Sequence, residues 1–520
     1  MPIIGRRLAV GLLLATLLVV FVLTLPITLL PGLQNRLTTA LGERFDSQVE
    51  VKALRISMLP HLRMTGEGVV LRHKGRRDVP PLILIESFSA EVSLFGVIGR
   101  PLRLRRVQLE GLEINVPPGG LSVDDDDEDD DRERDRAPAA KPPAESPLIV
   151  DDLLSERAVL RILRRTPGKR PRLFEIHQLS MQDTGSNDPW AFEATLTNPT
   201  PPGRIATRGT FGPWNAAEPS ATPLDAKYEF RDADLGVFDG IRGKLHSTGA
   251  FKGVLERIEV EGQARVPDFA LADVGQPVPL DTRFHSIVDG TNGNTLLQPV
   301  HGTFLQTSLV AEGGVVECEG EDGRTVTLDV VMNEARIEDV LRLAVKSSEP
   351  PMTGALKLKT KFVLPPGKVD PIDKLSLDGS FEIATARFVK GQVQEKLNEL
   401  SQKAQGVRDE SPDEVASDFK GRFIMRGGVI RFSSVSFTMP GTRVDVSGAF
   451  TLRSEALDFR GTVRLDARLS QLTTGAKSFL LKLVEPVFRR GNVTVVPITI
   501  KGTVADPKVG LDLGRTLTRK

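Results

Sequence analysis

Carboxylates are the most concentrated chemical groups in this sequence. Eight consecutive acidic residues run from Asp124 to Asp131, and carboxylate oxygens are the ligands that Ca²⁺ and Mg²⁺ prefer. No glycine interrupts the run to bend the backbone around an ion, so we interpret it as a solvated, self-repelling tether. The loop Asp289–Asn294 also carries oxygen ligands at alternate positions. It lacks the spacing and the closing Glu of an EF-hand, so it is typical of a hairpin turn.

Catalytic and metal-binding motifs are missing from the sequence. It contains no Gly-x-Ser-x-Gly, no Walker A sequence, no His-Glu-x-x-His, no Cys-x-x-Cys and no strand-linked Gly-x-Gly-x-x-Gly. Its six histidines are scattered, with no pair at metal-ligand spacing. The single cysteine, Cys318, excludes an internal disulfide and is typical of a small buried residue. We therefore predict a protein that is not an enzyme and that has no cofactor and no metal.

Overall composition excludes nucleic acid as the expected partner. Lys plus Arg and Asp plus Glu are equal at 68 each, so no basic excess would attract phosphates. Aromatic residues make up 5% of the chain and most of them are Phe. Exposed platforms on which bases or sugars stack need more aromatic side chains than this.

An uncharged segment near the start predicts a membrane anchor. Leu8–Leu30 is 23 residues long and follows Arg6 and Arg7. A helix of that length extends about 34 Å, which is enough to cross a hydrocarbon core of about 30 Å. The segment is too long for a signal peptide and offers no small-x-small cleavage site. The positive charges predict a cytoplasmic amino terminus, with the rest of the chain on the far side of the membrane.

The next elements are predicted from a change of period. Leu33, Leu37, Leu41 and Phe45 recur at steps of four and predict a short helix. We expect it to pack on the next domain; the alternative is that it lies in the membrane interface. From residue 48 to residue 116 the period becomes two, which predicts a small antiparallel sheet. Phase slips between Leu104 and Val107 and at Gly111 predict bulges.

A recurring Gly-x-Phe or Gly-x-Val unit opens many of the later strands. We expect the glycine to turn or bulge the backbone and the apolar residue to point to a common face; an ordinary large sheet that collects such glycines is the alternative. The units are Gly209-Thr-Phe211, Gly249-Ala-Phe251, Gly302-Thr-Phe304, Gly379-Ser-Phe381, Gly421-Arg-Phe423, Gly448-Ala-Phe450, Gly461-Thr-Val463 and Gly502-Thr-Val504.

Three apolar stripes predict helices among these strands. They cover Ile337–Ala344, Val389–Ala404 before Gly406, and Thr473–Val484 with a continuation to Phe488. We expect them to cover parts of the open side of a sheet. The alternative for the third helix is a gate or a membrane-contacting segment.

Both ends of the chain resemble the AsmA-like family of bacterial inner-membrane-anchored periplasmic proteins. At the amino end the resemblance lies in Gly42–Val51 (GERFDSQVEV), Ile56–Pro60 (ISMLP), Val69–Leu71 and Leu109–Val116 (LEGLEINV). At the carboxyl end it lies in Gly421–Phe432 (GRFIMRGGVIRF), Phe437–Gly441 (FTMPG), Val444–Phe450 (VDVSGAF), Leu457–Val463 (LDFRGTV) and Pro497–Val509 (PITIKGTVADPKV). The middle of the chain has a similar pattern of short strands but contains no motif of the family.

These observations predict a mainly β fold: one amino-terminal transmembrane helix, then an elongated, curved antiparallel β-sheet groove, taco-like, with a few amphipathic helices. The predicted regions are a cytoplasmic tip and anchor (1–30), an amino-terminal AsmA-like module (31–116), an acidic and Pro-rich linker (117–147), a middle β-groove (148–385) and an AsmA-like carboxy-terminal region (386–520). The predicted location is the bacterial inner membrane, crossed once, with the bulk of the chain in the periplasm.

The helices are too few to cover a long sheet, so we expect an uncovered apolar trough. The resemblance implies that the trough acts as in bridge-like lipid transfer proteins, where a groove shields acyl chains. Phospholipid, the inner membrane and outer-membrane assembly proteins are then the expected partners, in support of outer-membrane biogenesis. The alternatives are a non-enzymatic scaffold or regulator of outer-membrane protein assembly and, least favoured, an envelope hydrolase. The groove candidates are Phe423, Val444, Val446, Phe450, Phe459, Val463, Leu465, Ile498 and Ile500.

Overall fold

A computed structural model shows a mainly β protein. It describes residues 32–57, 62–92, 100–116, 146–164, 170–271, 275–318, 323–345, 349–389, 417–465, 489–490, 493–504 and 506–511. Several predicted features lie wholly or mostly outside this part of the chain: the span Leu8–Leu30, the linker 117–147, and the helices at Val389–Ala404 and Thr473–Phe488. Within the described residues no helix has the length and apolar character needed to span a bilayer.

The chain divides into two compact units. Unit 1 contains residues 1–233, 247–260 and 288–293, and unit 2 contains residues 234–246, 261–287 and 294–520. The boundaries predicted at 117, 148 and 386 follow sequence character rather than contacts, and they stay a prediction.

Unit 1 begins with a helix, α1 (residues 32–45), followed by long strands. The strands are β1 (Ser47–Ser57), β2 (Arg63–His73), β3 (Ile83–Val92), β4 (Leu102–Val116), β5 (Leu148–Ile162), β6 (Arg172–Thr184), β7 (Trp190–Pro199), β8 (Pro202–Phe211) and β9 (Leu224–Asp234). Strands β1 to β4 pair antiparallel in chain order, which confirms the predicted small sheet.

One pair in unit 1 departs from the antiparallel rule. Strands β4 and β5 are parallel, with Leu102 opposite Leu148 and Val116 opposite Ile162. Two neighbouring parallel strands need a connecting segment that runs back along the full length of the strand. Residues 117–147, which separate β4 from β5, are numerous enough to do this. The expectation of a purely antiparallel sheet was wrong at this pair, because the period of two in the sequence does not distinguish the two pairings.

The predicted slip between Leu104 and Val107 is confirmed as a bulge, whereas at Gly111 the strand register is unbroken and the expected bulge was wrong. Glu91 faces Arg106 and Val92 faces Leu104, so Arg105 is the extra residue. Gly111 has a φ of +62°, and an added Cβ there would lie 2.4 Å from the Glu86 side chain. Both irregularities keep the apolar residues of β4 on the core side of the sheet.

The core of unit 1 lies between α1 and one face of the sheet. Leu33 and Leu37 on the helix are 4% and 3% exposed, and Met64 and Leu71 on β2 are 0% and 2% exposed. All four belong to one cluster that extends to β6. The prediction that the helix packs on the following domain is therefore confirmed.

In the part of the chain that the structure describes, unit 2 holds the remaining strands and two α-helices. The strands are β10 (Ile241–Arg242), β11 (Lys244–Val254, whose later residues fall in unit 1), β12 (Arg257–Leu271), β13 (Val278–Val288), β14 (Thr295–Phe304), β15 (Thr307–Glu317), β16 (Arg324–Arg336), β17 (Met352–Leu364), β18 (Ser376–Phe388), β19 (Ser417–Arg426), β20 (Val429–Met439), β21 (Thr442–Thr451), β22 (Ala456–Leu465), β23 (Arg489–Arg490), β24 (Val493–Thr503) and β25 (Pro507–Leu511). Neighbouring strands from β14 to β22 pair antiparallel in chain order, and β24 pairs with β22 and β25.

The helices of unit 2 are α2 (Ile337–Ala344), as predicted, and the single turn α3 (Pro371–Lys374). Glu338 and Asp339 occupy the first turn of α2 and Arg342 the last, which matches the helix dipole. The carboxylate of buried Asp339 accepts hydrogen bonds of 2.9 Å from the Gln306 backbone N–H and the Thr307 hydroxyl. These bonds fix α2 to the turn between β14 and β15.

Candidate apolar binding site

Strands β17 to β22 of unit 2 separate charged from apolar residues by alternation, which bulges in β18 and β20 interrupt. On β17, Lys357, Lys359 and Lys361 are exposed, while Leu356 and Leu358 between them are buried or partly buried. The same alternation continues on β18 to β22, because successive side chains of a strand point to opposite faces. One face of this sheet is therefore charged and the other apolar.

Strand register aligns the apolar residues into rows that cross the sheet. Two of these, the central rows, each take one residue from β16 to β22 and one from β24. The first contains Val330, Thr360, Gly379, Phe423, Phe432, Gly448, Phe459 and Ile500, and the second contains Met332, Leu358, Phe381, Gly421, Val435, Val446, Gly461 and Ile498. Neither row contains a charged residue. Eight strands at about 4.8 Å make each row about 34 Å long.

All nine groove candidates predicted from the sequence lie on this apolar face. Phe423, Phe459, Ile500, Val446 and Ile498 belong to the central rows, and the remaining four occupy the flanking rows on the same face. The prediction of a common face thus agrees with the register. The residues of β16 to β18 that extend the face were not among the candidates, because no family motif marks them.

The Gly-x-Phe units pair with each other in an unexpected way. In β18 and β19, Gly379 lies opposite Phe423 and Phe381 lies opposite Gly421. These glycines stand in regular antiparallel register, so they do not turn the chain as expected; Gly502, with a φ of +100°, is the member of the set that does. The glycines instead leave room for the ring of the neighbouring strand.

The phenylalanines of the apolar face form a layer with two groups of ring contacts. The Phe419 and Phe437 rings stack with centroids 4.5 Å apart. Phe432 links to Phe381 at 6.2 Å and to Phe459 at 5.6 Å. Ring pairs at such distances attract each other beyond the effect of burial alone, so the layer is an ordered wall.

Burial varies across this face, where Met425 and Ile498, at 3% and 8% exposed, are among the buried residues. The row that contains Leu356 and Ile383, which are 3% and 6% exposed, packs with Ile337 and Val340 of α2. The phenylalanines of the central rows are only partly buried. At the edge strand β25, Val509 continues the first central row opposite Ile500 and is 69% exposed. The apolar face therefore reaches solvent beyond the side that α2 covers.

A charged rim borders the opposite side of this face. Arg453, in the β21–β22 turn, forms ion pairs of 2.8 Å with Asp370 and 2.9 Å with Asp373. The backbone N–H of Ile372 and the Arg453 guanidinium hold the pKa of Asp370 below its usual value. In the same rim, the Leu452 N–H donates to the Gly428 carbonyl. Three hairpin ends are therefore linked beside the central rows.

Unit 1 gathers both tryptophans of the chain at the end of α1. Trp190 and Trp214 stack with centroids 6.2 Å apart, and Phe45 of α1 meets Trp214 edge-on at 5.3 Å. The Arg44 guanidinium lies 5.6 Å above the Trp190 ring, and burial lowers the pKa of Arg44. No local sequence pattern marks this cluster, because Trp190 and Trp214 approach α1 only in the folded chain. The cluster fixes α1 to unit 1.

A depression of about 930 Å³ crosses strands β4 to β9 of unit 1. Its wall mixes apolar and charged residues, among them Leu179, Glu193, Arg208 and Tyr228. The Tyr228 hydroxyl lies 3.1 Å from the Ser247 hydroxyl, and burial raises the pKa of Tyr228. This mixed wall contrasts with the uncharged rows of unit 2, so unit 2 is the stronger candidate for an apolar ligand.

Groups suited to metal chemistry are used in other ways. Within the described residues, no cluster of three or more His, Cys, Asp or Glu is arranged to hold a metal ion. The Asp289 carboxylate accepts bonds from the Thr291 N–H at 2.9 Å and from the Asn292 side chain at 2.6 Å. The loop that resembled a cation site is therefore a turn closed by its own side chains, as predicted.

Comparisons of the chain with models of protein families, with curated proteins and with solved structures find no match. The AsmA-like resemblance of the two ends thus stays a prediction. The arguments that follow rest on the geometry of the apolar face.

Proposed function

We propose that the apolar face of unit 2 binds the acyl chains of phospholipid. On this proposal the protein is anchored in the bacterial inner membrane, with its bulk in the periplasm, and holds or conducts phospholipid in support of outer-membrane assembly. The observation that carries the proposal is the pair of uncharged central rows. They are about 34 Å long, partly exposed, and backed by a charged opposite face.

The energetics favour a flexible hydrocarbon as the occupant. Each methylene that leaves water contributes about 0.8 kcal/mol, so a chain lying along a central row gains stability with every carbon that it covers. No hydrogen bond is required, and the central rows offer none apart from the Thr360 hydroxyl. Head groups would stay in water beside the charged rim of Arg453, Asp370 and Asp373.

The membrane and compartment parts of the proposal come from the sequence. Leu8–Leu30 supplies an uncharged stretch long enough to anchor the chain, and Arg6 and Arg7 favour a cytoplasmic amino terminus. The AsmA-like resemblance supports the same placement and the same class of cargo.

The proposal is tested by the lipid that co-purifies with the full-length chain. Val446→Asp places a charge in the second central row and is expected to lower the bound phospholipid per chain about tenfold. Ser447→Asp is the matched control, because Ser447 is the next residue of the same strand, exposed on the charged face, and it should retain its lipid. A parent protein that carries no lipid, or equal loss from both variants, would overturn the proposal.

The alternative function, a scaffold or regulator that acts through protein contacts, is favoured by one observation in unit 1. There the chain covers an apolar face with its own helix α1, which shows that such faces in this protein also serve as cores. Photo-crosslinking at Val446 separates the two functions, since lipid adducts support the first and protein adducts the second.

A further inference from the structure

We propose that reciprocal glycine and phenylalanine pairs set the depth of the apolar wall and fit it to unbranched acyl chains. The proposal deepens the function proposed above and rests on it. It assigns a positioning role to Gly379 and Gly421, which touch no ligand themselves but decide where the neighbouring rings lie.

The first observation is the register of β18 and β19. Each strand carries Gly-x-Phe, and the antiparallel pairing places Gly379 opposite Phe423 and Gly421 opposite Phe381. Each ring therefore faces a position without a side chain. This register explains the recurring Gly-x-Phe unit physically. Two copies on neighbouring strands fit together when each glycine lies opposite the phenylalanine of the other strand.

The second observation is where the rings lie. A Cβ atom added at Gly421 would sit 2.9 Å from Cε1 and 3.0 Å from Cζ of Phe381. One added at Gly379 would sit 3.0 Å from Cζ of Phe423, with the Lys359 carbonyl and the Thr360 Cβ nearer still. The far ends of both rings thus occupy the space that a side chain would take. The rings lie over the neighbouring strand instead of standing up from the sheet.

The same arrangement recurs in other parts of the molecule. In β21 and β22, Gly448 also lies opposite a phenylalanine, Phe459. There an added Cβ would first meet backbone, the Asp458 carbonyl and the Phe459 Cα, and then the Phe459 Cγ at 2.8 Å. In unit 1, Gly66 lies opposite Phe88, and an added Cβ would approach the ring even more closely. The Phe88 ring is 8% exposed within a closed core, whereas the unit 2 rings are only partly buried.

The consequence is a level wall above the central rows of unit 2. Rings that lie flat keep the wall apolar without filling the space above it, so a slender hydrocarbon chain can lie across them. A side chain at Gly421 would lift the Phe381 ring into that space, and overpacking of this kind is costly. A methyl branch on an acyl chain would collide with the rings of the wall, because it needs the same space.

The test uses the full-length chain in cells with a photo-crosslinking residue at Val435. This position lies directly opposite Gly421 on the same face. Gly421→Ala is expected to lower the yield of phospholipid adduct at Val435 about tenfold. Gly314→Ala is the matched control: it lies in strand β15 of the same unit, and an added Cβ there meets no atom closer than 3.4 Å, so the yield should stay within about twofold of the parent.

A double variant separates ring displacement from backbone damage, since the Ser434 carbonyl would lie 2.8 Å from the new Cβ. Gly421→Ala with Phe381→Leu removes the far end of the ring and is expected to restore the adduct to within about twofold of the parent. Failure to recover overturns the inference, as does an unchanged yield in Gly421→Ala alone. Absence of lipid adduct in the parent chain defeats the proposed function itself, which keeps the two failures distinct.

Discussion

The two units treat their apolar faces differently. In unit 1, α1 lies on the sheet and buries Leu33 and Leu37 to 4% and 3% exposure. In unit 2, the described helix α2 covers one side of the face, and the central rows stay partly buried. Both faces are built from the same alternating strands. Within the described residues, the two faces differ in how much of them a helix covers.

This comparison indicates that the covering helix decides how far such a sheet face is buried. Unit 1 closes its face with a long apolar stripe fixed by the Trp190 and Trp214 cluster. In unit 2, α2 is short and held by the polar contacts of Asp339 and Glu338 with loop and bulge backbone. Among the described residues, α2 therefore covers one side of the face only.

The largest expected effect comes from removing the cover of unit 1. Leu37→Asp places an unpaired charge in the core, and we expect α1 to detach. The loss of buried Leu33 and Leu37 then costs roughly 3–6 kcal/mol, at about 1.5–3 kcal/mol for each side chain. Binding of the dye ANS should rise, and lipid crosslinks should appear at Leu109 of unit 1. Thr39→Asp, on the exposed side of the same helix, should change neither quantity.

A smaller effect is expected where unit 2 fixes its helix. Asp339→Ala leaves the Gln306 N–H and the Thr307 hydroxyl without their buried acceptor, which costs about 1–3 kcal/mol. Chemical denaturation should show this loss together with faster amide exchange in α2. Glu334→Ala, exposed at the end of β16, serves as the control and should unfold like the parent; equal behaviour of the two variants would show that Asp339 does not hold α2.

The smallest effect belongs to the rim. Arg453→Ala removes the ion pairs with Asp370 and Asp373, which are solvent-exposed and so contribute little. Because the pKa of Asp370 is lowered in the fold, its contribution is complete above the unfolded value of about 3.9 and disappears as the pH falls through the lowered value. The difference in denaturation midpoint between parent and variant should be small at pH 7 and absent at pH 2. A difference that persists at pH 2 would mean that Arg453 acts through packing.

Much of the fold follows from local pattern. The period of two predicts the strands, the slip after Leu104 predicts the bulge of β4, and the stripe Ile337–Ala344 predicts α2. These features depend on neighbours in the sequence, which the sequence displays directly. The common apolar face of the carboxy-terminal strands follows from the same alternation.

Other features depend on which strands meet, and no local pattern records that. The parallel pairing of β4 with β5, the meeting of Trp190 with Trp214, and the reciprocal Gly379 and Phe423 contact all join segments that are distant in the chain or set by register. The Gly-x-Phe unit was visible in the sequence, but its function as a space for the partner ring requires the register.

The account depends on whether acyl chains lie against the central rows, and crosslinking at adjacent residues of β19 tests this most directly. Phe423 lies in the first central row, whereas Arg422 is exposed on the charged face of the same strand. With a photo-reactive phenylalanine analogue at each position of the full-length chain in cells, we predict phospholipid adducts at 423 and none at 422. Equal adducts at both positions, or protein adducts alone at 423, would contradict the account.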